Sequence, residues 1–161
     1  VNIPGYEAEV ARMLQIGCEL GNHSYDHADL SKLDPAGIQS QMSRTNDGIR
    51  NISGSGATLM RPPYGAINST VAANAGLPMI LWNIDTLDWK TRNAQSTIDA
   101  VMNKVKDGDI ILMHDIHTET IDAALQLIPK LQSEGYQLVT VSELAAAKGK
   151  HLLNGNTYTD F

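Results

Sequence analysis

Two histidines, His23 and His27, stand four residues apart in the stretch Gly21-Asn22-His23-Ser24-Tyr25-Asp26-His27. Neutral imidazole is the commonest metal-ligating side chain, and on one helical turn or in a tight loop this spacing turns both rings to the same side. Such a pair suits Zn²⁺ or a similar divalent ion. Ser24 and Asp26 lie inside the pair and could ligate or brace it. The bland alternative is two surface histidines near a turn.

Three further stretches carry reactive side chains. Arg61-Pro62-Pro63-Tyr64 offers a guanidinium that can grip a carboxylate with two prongs, unless it is only a surface arginine on a proline-rich turn. Tyr64 follows a proline, so an extended backbone is expected there, with an N–H available to an oxyanion. Asp88-Trp89 pairs a carboxylate with a flat ring on which a sugar could stack; the alternative is a core tryptophan with a capping aspartate. His114 follows the apolar run Ile110–Met113, and beside a buried aspartate it could act as a general acid. Its alternative fate is a hydrogen-bonded core histidine.

The elements that must position these groups can be read from the hydrophobic spacing. Val10, Met13, Leu14 and Gly17 follow a helical period, and Ile16–Leu20 reads as a short strand delivering the histidines. Asp34-Pro35 starts a helix whose buried face is Ile38, Met42, Ile49 and Ile52, ended by Gly54-Ser55-Gly56. Strands are expected at Thr58–Met60, Met79–Asn83, Ile110–Met113 and Gln137–Val141. Asn68 caps a small helix that stops at Gly76. Ser96 caps one bearing Ile98, Val101, Met102 and Val105, closed by Gly108. A later helix turns Ile121, Leu125 and Ile128 inward and should bend or break at Pro129. Ser142 caps the last helix, and the tail from Leu152 reads as loop. The result is an α/β domain of about five parallel strands. His23 and His27, Arg61 and Tyr64, Asp85 and Asp88, and His114 each follow the end of a strand, the edge where α/β folds build their sites.

Composition narrows the function. The 161 residues fit one domain, 1–161, with a real core, and 42% of them are hydrophobic. A net charge of −6 argues against a nucleic-acid partner and against attraction to an anionic membrane. No apolar run is long enough to span a bilayer. Cys18 is the only cysteine, so no intrachain disulfide can form, and its apolar surroundings suggest a buried thiol. The first residue is Val1 and no signal peptide precedes it, which reads as a processed product or a fragment.

His23-Ser24-Tyr25-Asp26-His27, Arg61-Pro62-Pro63-Tyr64, Asp85-Thr86-Leu87-Asp88-Trp89 and Leu112-Met113-His114 resemble, in order and approximate spacing, four of the five motifs of the polysaccharide deacetylases. These are the NodB-homology proteins, carbohydrate esterase family 4. The wording Asp-Thr-Leu-Asp-Trp-Lys and His-Asp-Ile-His is most like the bacterial peptidoglycan N-acetylglucosamine deacetylases. The resemblance implies a distorted (β/α) barrel and a metal-dependent hydrolase that removes acetyl from an N-acetylated sugar polymer. Zn²⁺ is the expected ion, with Co²⁺ or Ni²⁺ as substitutes. His23 and His27 would ligate it, Arg61 would orient the base, and the Tyr64 N–H would help hold the oxyanion. Trp89 would line the groove, Leu112 would wall the acetyl pocket, and His114 would protonate the amine. Asp88 would tune His114 or brace Arg61, and Asp85 would support the same network. The fifth motif, a Thr-Phe-Asp-Asp-Gly-like strand end that supplies the base and an aspartate ligand, is not in this chain. The expectation is therefore the C-terminal part of a catalytic domain, partnered by an N-terminal segment, inactive by itself and prone to associate through open strand edges. If Asp26, Asp115 or His117 completed a different metal site, that expectation would change. Other readings are an acetylxylan esterase, a chitin-oligomer deacetylase, a non-catalytic sugar- or metal-binding relative, or a barrel acting on a small amide. An extracellular or cell-envelope location follows from the resemblance.

Overall fold

The structure is a computed structural model describing residues 2–161. The chain divides into two compact units. One runs to Leu81 and includes Gly149–Tyr158; the other is Trp82–Lys148 with Thr159–Phe161.

In the first unit, α2 (Pro35–Ser53) begins where Asp34 accepts a hydrogen bond from the Gly37 N–H and ends at left-handed Gly54. Its Ile38 and Met42 pack with Leu30, Met60, Val71, Ala75 and Met79 into one core. Asn68 caps α3 (Ser69–Asn74) through the Val71 N–H. The strand ladder is thin and parallel. It runs from Asn22 to Met60, from Met60 to β1 (Met79–Ile80), and from β1 to β4 (Thr157–Tyr158). Three expectations fail here. The tail read as loop supplies β4. The strand expected over Ile16–Leu20 does not form, because α1 (Glu7–Gln15) is followed by a turn at Gly17 (φ 92°) and the ladder is reached only at Asn22. Cys18, on that unpaired segment, is exposed rather than buried. The α1 helix itself forms but has no buried residue.

In the second unit, β2 (Ile84–Asp85) pairs in parallel with β3 (Ile111–Leu112). The strand expected over Met79–Asn83 forms only as β1, and β2 is a separate strand beyond it that belongs to a different ladder. After the short α4 (Asp88–Thr91), α5 (Ala94–Met102) is capped by Asn93, not Ser96, and ends well before Gly108. Asn93 is extended and its side chain accepts from the Ser96 N–H, which places Ser96 inside the first turn. Thr140, not Ser142, caps α7 (Val141–Ala147) in a reciprocal box with Glu143; the strand expected at Gln137–Val141 does not form, since residues 137–140 lie in no strand and Val141 opens the helix. The four named strands close no barrel among the described residues.

The largest correction concerns α6 (Thr118–Ser133). Its buried residues are Thr120, Ala123, Leu127 and Leu131, the last three of which share a core with Ile84, Ile98 and Val101. Ile121, Leu125 and Ile128 lie on the opposite, exposed side. Both sets have helical spacing, so periodicity could not choose between them. Pro129 does not end the helix, which runs on to Ser133. It removes only the bond to the Leu125 carbonyl, and Leu125 is 69% exposed, so water can take that carbonyl. Denaturant unfolding checks the assignment. Leu127→Ala should destabilise by about 2–5 kcal/mol, whereas Leu125→Ala should stay within about 0.5 kcal/mol; the reverse order would show that the helix is rotated.

Candidate active site

The histidine loop is hung from a buried amide. Asn22 is fully buried; its Nδ2 donates to the Met42 carbonyl and to Asn46 Oδ1, both at 2.9 Å. Its Oδ1 accepts from the Ser24 N–H at 2.9 Å. From α2, Gln41 Oε1 accepts the N–H groups of Tyr25 and Asp26 at 2.8 and 3.2 Å. These bonds hold Ser24 and His27 in left-handed conformations, φ 61° and 62°, so the pair sits on a strained loop rather than on a helical turn. The Ser24 Oγ is buried without a partner among the described residues, and Asp26 is exposed.

The two rings meet edge to face with centroids 4.9 Å apart. His23 Nδ1 lies 2.6 Å from the Arg61 carbonyl, which can only accept, so Nδ1 carries a proton and, in the neutral ring, Nε2 holds the lone pair. Metal-ligating histidines are commonly fixed by this same bond. His27 Nδ1 is 3.2 Å from the Tyr64 hydroxyl, and the Tyr64 ring packs edge-on at 4.8 Å. The donor set fits a nitrogen-loving divalent ion. No three His, Cys, Asp or Glu side chains among the described residues are grouped to hold one, so neither Asp26, Asp115 nor His117 completes a metal site within them.

Arg61 follows the bridge residue Met60, and its N–H donates to the Asn22 carbonyl at 2.8 Å. Its side chain reaches the strand-end carbonyls of Ile80 and Leu81 at 3.4 and 3.3 Å. Burial lowers its pKa from the usual arginine value. Tyr64 departs from expectation: it is left-handed (φ 61°, ψ 6°), not extended, because proline restrains the residue before it rather than the one after.

In the second unit the centre is Asp88, at the start of α4 and 1% exposed. Its Oδ1 accepts from His114 Nδ1 and from the Trp89 N–H, both at 2.8 Å. Its Oδ2 accepts from the His114 N–H at 2.6 Å and the Thr120 hydroxyl at 2.9 Å. Burial, the largest single influence, pushes the Asp88 carboxyl up. The bonds from the His114 ring and N–H, Thr120 and Trp89 together outweigh it and hold the group below its ordinary value. Asp88 is thus bonded to both the ring and the N–H of His114. Asp85 Oδ1 accepts the Leu87 N–H at 2.9 Å and shapes the turn into α4. Leu112 is buried opposite Asp85 in the ladder, and its carbonyl takes the Thr86 hydroxyl at 2.8 Å. Trp89 is 49% exposed. Asn22, Gln41, Asn46, Thr86 and Thr120 were not singled out in the sequence. Only Asn22 and Thr86, inside the motifs, gave a local hint.

A depressed carboxylate has a signed consequence for stability. Asp88 contributes stability fully above its unfolded value, near 3.8, and loses it as pH falls through the lower folded value. Asp88→Asn should therefore lower the unfolding free energy at neutral pH and narrow its deficit against wild type in acid. A deficit that is constant across that range would contradict the ionised assignment.

Residues 1–80 match the family model for polysaccharide deacetylase. The peptidoglycan-N-acetylmuramic acid deacetylase PdaC of Bacillus subtilis is 45% identical over 143 residues, 89% of this chain and 31% of that protein. Its solved structure is 44% identical, covers 91% of this chain and 73% of its own, and superposes with a TM-score of 0.88. The peptidoglycan-N-acetylglucosamine deacetylase PgdA of Listeria monocytogenes is 42% identical over 94% of this chain and 32% of that protein. This chain thus spans about a third of the length of those two curated relatives. A family 4 acetyl xylan esterase from Clostridium thermocellum, solved with a cobalt ion, is 32% identical, covers 96% of this chain and 78% of its own, and has a TM-score of 0.90. Identity of this order, sustained over most of two solved catalytic chains, places the protein in the polysaccharide deacetylases of carbohydrate esterase family 4.

Proposed function

We propose that this chain is the C-terminal part of a metal-dependent deacetylase domain, a distorted (β/α) barrel in its full form. It would hydrolyse the N-acetyl group of N-acetylglucosamine residues in a polysaccharide, with peptidoglycan as the polymer and acetate as the product. That substrate puts the protein at the cell envelope. The observation that carries the reading is the proton inventory of His23. A carbonyl on Nδ1 leaves Nε2 as the metal-binding atom, four residues from a second imidazole. Relatives named for both N-acetylglucosamine and N-acetylmuramic acid, and one solved with cobalt, support the polymer and the ion type.

His23 and His27 would hold the ion, Zn²⁺ before Co²⁺ or Ni²⁺. When bound, such an ion acidifies water and polarises the acetamide carbonyl. The Tyr64 N–H, on a left-handed residue that contacts His27, would donate to the developing oxyanion. Arg61 would orient the base, its guanidinium held by strand-end carbonyls. His114 donates its Nδ1 proton to Asp88, so Nε2 is the atom that hands a proton to the leaving amine. Trp89 would line the sugar groove, Leu112 would wall the acetyl pocket, and Asp85 would keep the turn into α4.

Acetate release by the intact protein tests this reading on peptidoglycan, acetylated xylan and chitin oligomers. Peptidoglycan should release most, and a chelator should abolish release until Zn²⁺ is restored. No release from any of the three with metal bound would sink the proposal. Calorimetric Zn²⁺ titration should show affinity lost in His23→Ala and His27→Ala. His114→Ala should lower kcat by about 10²–10⁴-fold with KM little changed.

A further inference from the structure

Arg92 is an arginine where glycine or asparagine would be expected. It caps α4 in the left-handed region (φ 48°, ψ 44°), as Leu87 does at the other end. Its side chain is held in place: Nε donates to the Trp89 carbonyl at 2.9 Å and Nη1 to His117 Nδ1 at 2.6 Å. A guanidinium has no acceptor atom, so His117 Nδ1 accepts, and the imidazole carries its proton on Nε2 and is uncharged. Both partners are neutral. No carboxylate among the described residues pairs with Arg92, and its Nη2 hydrogens have no partner there. The side chain is exposed, the backbone N–H of Arg92 meets the Asp88 carbonyl at 3.0 Å, and Trp89, three residues before it, is 49% exposed. Along the backbone Arg92 is thus one helical turn from Asp88, whose carboxylate bonds His114.

A structural cap needs no charge, and a left-handed arginine is disfavoured relative to glycine. An oriented guanidinium without an anionic partner among the described residues matches the fork geometry of a carboxylate, and Trp89, whose carbonyl it meets, is itself half-exposed. In a chain of net charge −6 the overall field would repel an anion, so an anionic substrate requires a local cation. We propose that Arg92 is a specificity-determining residue that binds a carboxylate carried by the glycan, with His117 and the Trp89 carbonyl as its positioning groups. This rests on the reading of Trp89 as a wall of the sugar groove. The acid is either a lactyl ether on the sugar ring or the acidic side chain of a peptide attached through it.

Calorimetric binding to the intact protein tests the assignment with three disaccharide probes of one N-acetylated backbone. One carries a free lactyl acid, one the lactyl group reduced to its alcohol, and one the lactyl amide of an alanyl-glutamate dipeptide. Wild type should bind at least one acidic probe roughly tenfold tighter than the alcohol, and the stronger of the two identifies the source of the carboxylate. Arg92→Asn keeps a residue that tolerates the left-handed backbone and should erase the preference without changing affinity for the alcohol. Arg92→Lys should retain part of it. Equal binding of acid and alcohol by wild type, or a preference that survives Arg92→Asn, overturns the assignment and leaves the deacetylase reading standing. Failure of wild type to bind any of the three overturns both.

Discussion

A carboxylate removed from water needs compensation, and Asp88 receives it from three separate segments. The start of α4 contributes the Trp89 N–H, the end of β3 leads to the ring and N–H of His114, and the first turn of α6 contributes Thr120. An uncompensated buried charge would cost several kcal/mol. With these donors the same burial becomes a constraint, because none of the three segments can move without stranding the charge. The orientation of His114, the entry angle of α4 and the register of α6 on β2 all follow from it.

The first unit solves the same problem with a neutral group. Asn22, fully buried, spends both ends of its amide on α2 and on the loop that follows it. Satisfied buried polar groups of this kind rigidify what they touch. The five non-glycine residues with positive φ among the described residues are Ser24, His27, Tyr64, Leu87 and Arg92. All lie in the loops beside Asn22, Arg61 and Asp88. Each costs of order 1–3 kcal/mol of backbone strain. That expense is concentrated where imidazoles, a phenol and guanidinium groups are held in set directions, and is absent from the helices that carry the cores.

Helix starts with a polar cap and proline at Asp34-Pro35, and with asparagine at Asn68, were legible because capping is a local bond between neighbours. The cap of α5 was missed because Asn93 and Ser96 are both good caps, and only the extended backbone of Asn93 decides between them. Strands were legible as apolar runs but not as ladders. Each named strand is two residues long, and whether a run pairs depends on partners far along the chain, such as Thr157–Tyr158 for Met79–Ile80. The face of α6 was misread for a related reason: two apolar stripes of equal period compete, and only the presence of Ile84, Ile98 and Val101 selects Leu127 over Leu125.

By itself, the order and spacing of His23, His27, Arg61, Tyr64, Asp85, Asp88, Trp89 and His114 identified the family to which this chain belongs. Reactivity resides in residue type, and each of these residues sits in a short motif whose members are neighbours in the chain. Only the tertiary structure decided which group meets Nδ1 of His23, which histidine Asp88 bonds, and that the Arg92 guanidinium meets the Trp89 carbonyl and His117. Those properties are set by hydrogen bonds to residues tens of positions away, the Arg61 carbonyl, His114, Thr120 and His117, and nothing in the sequence near either partner announces them.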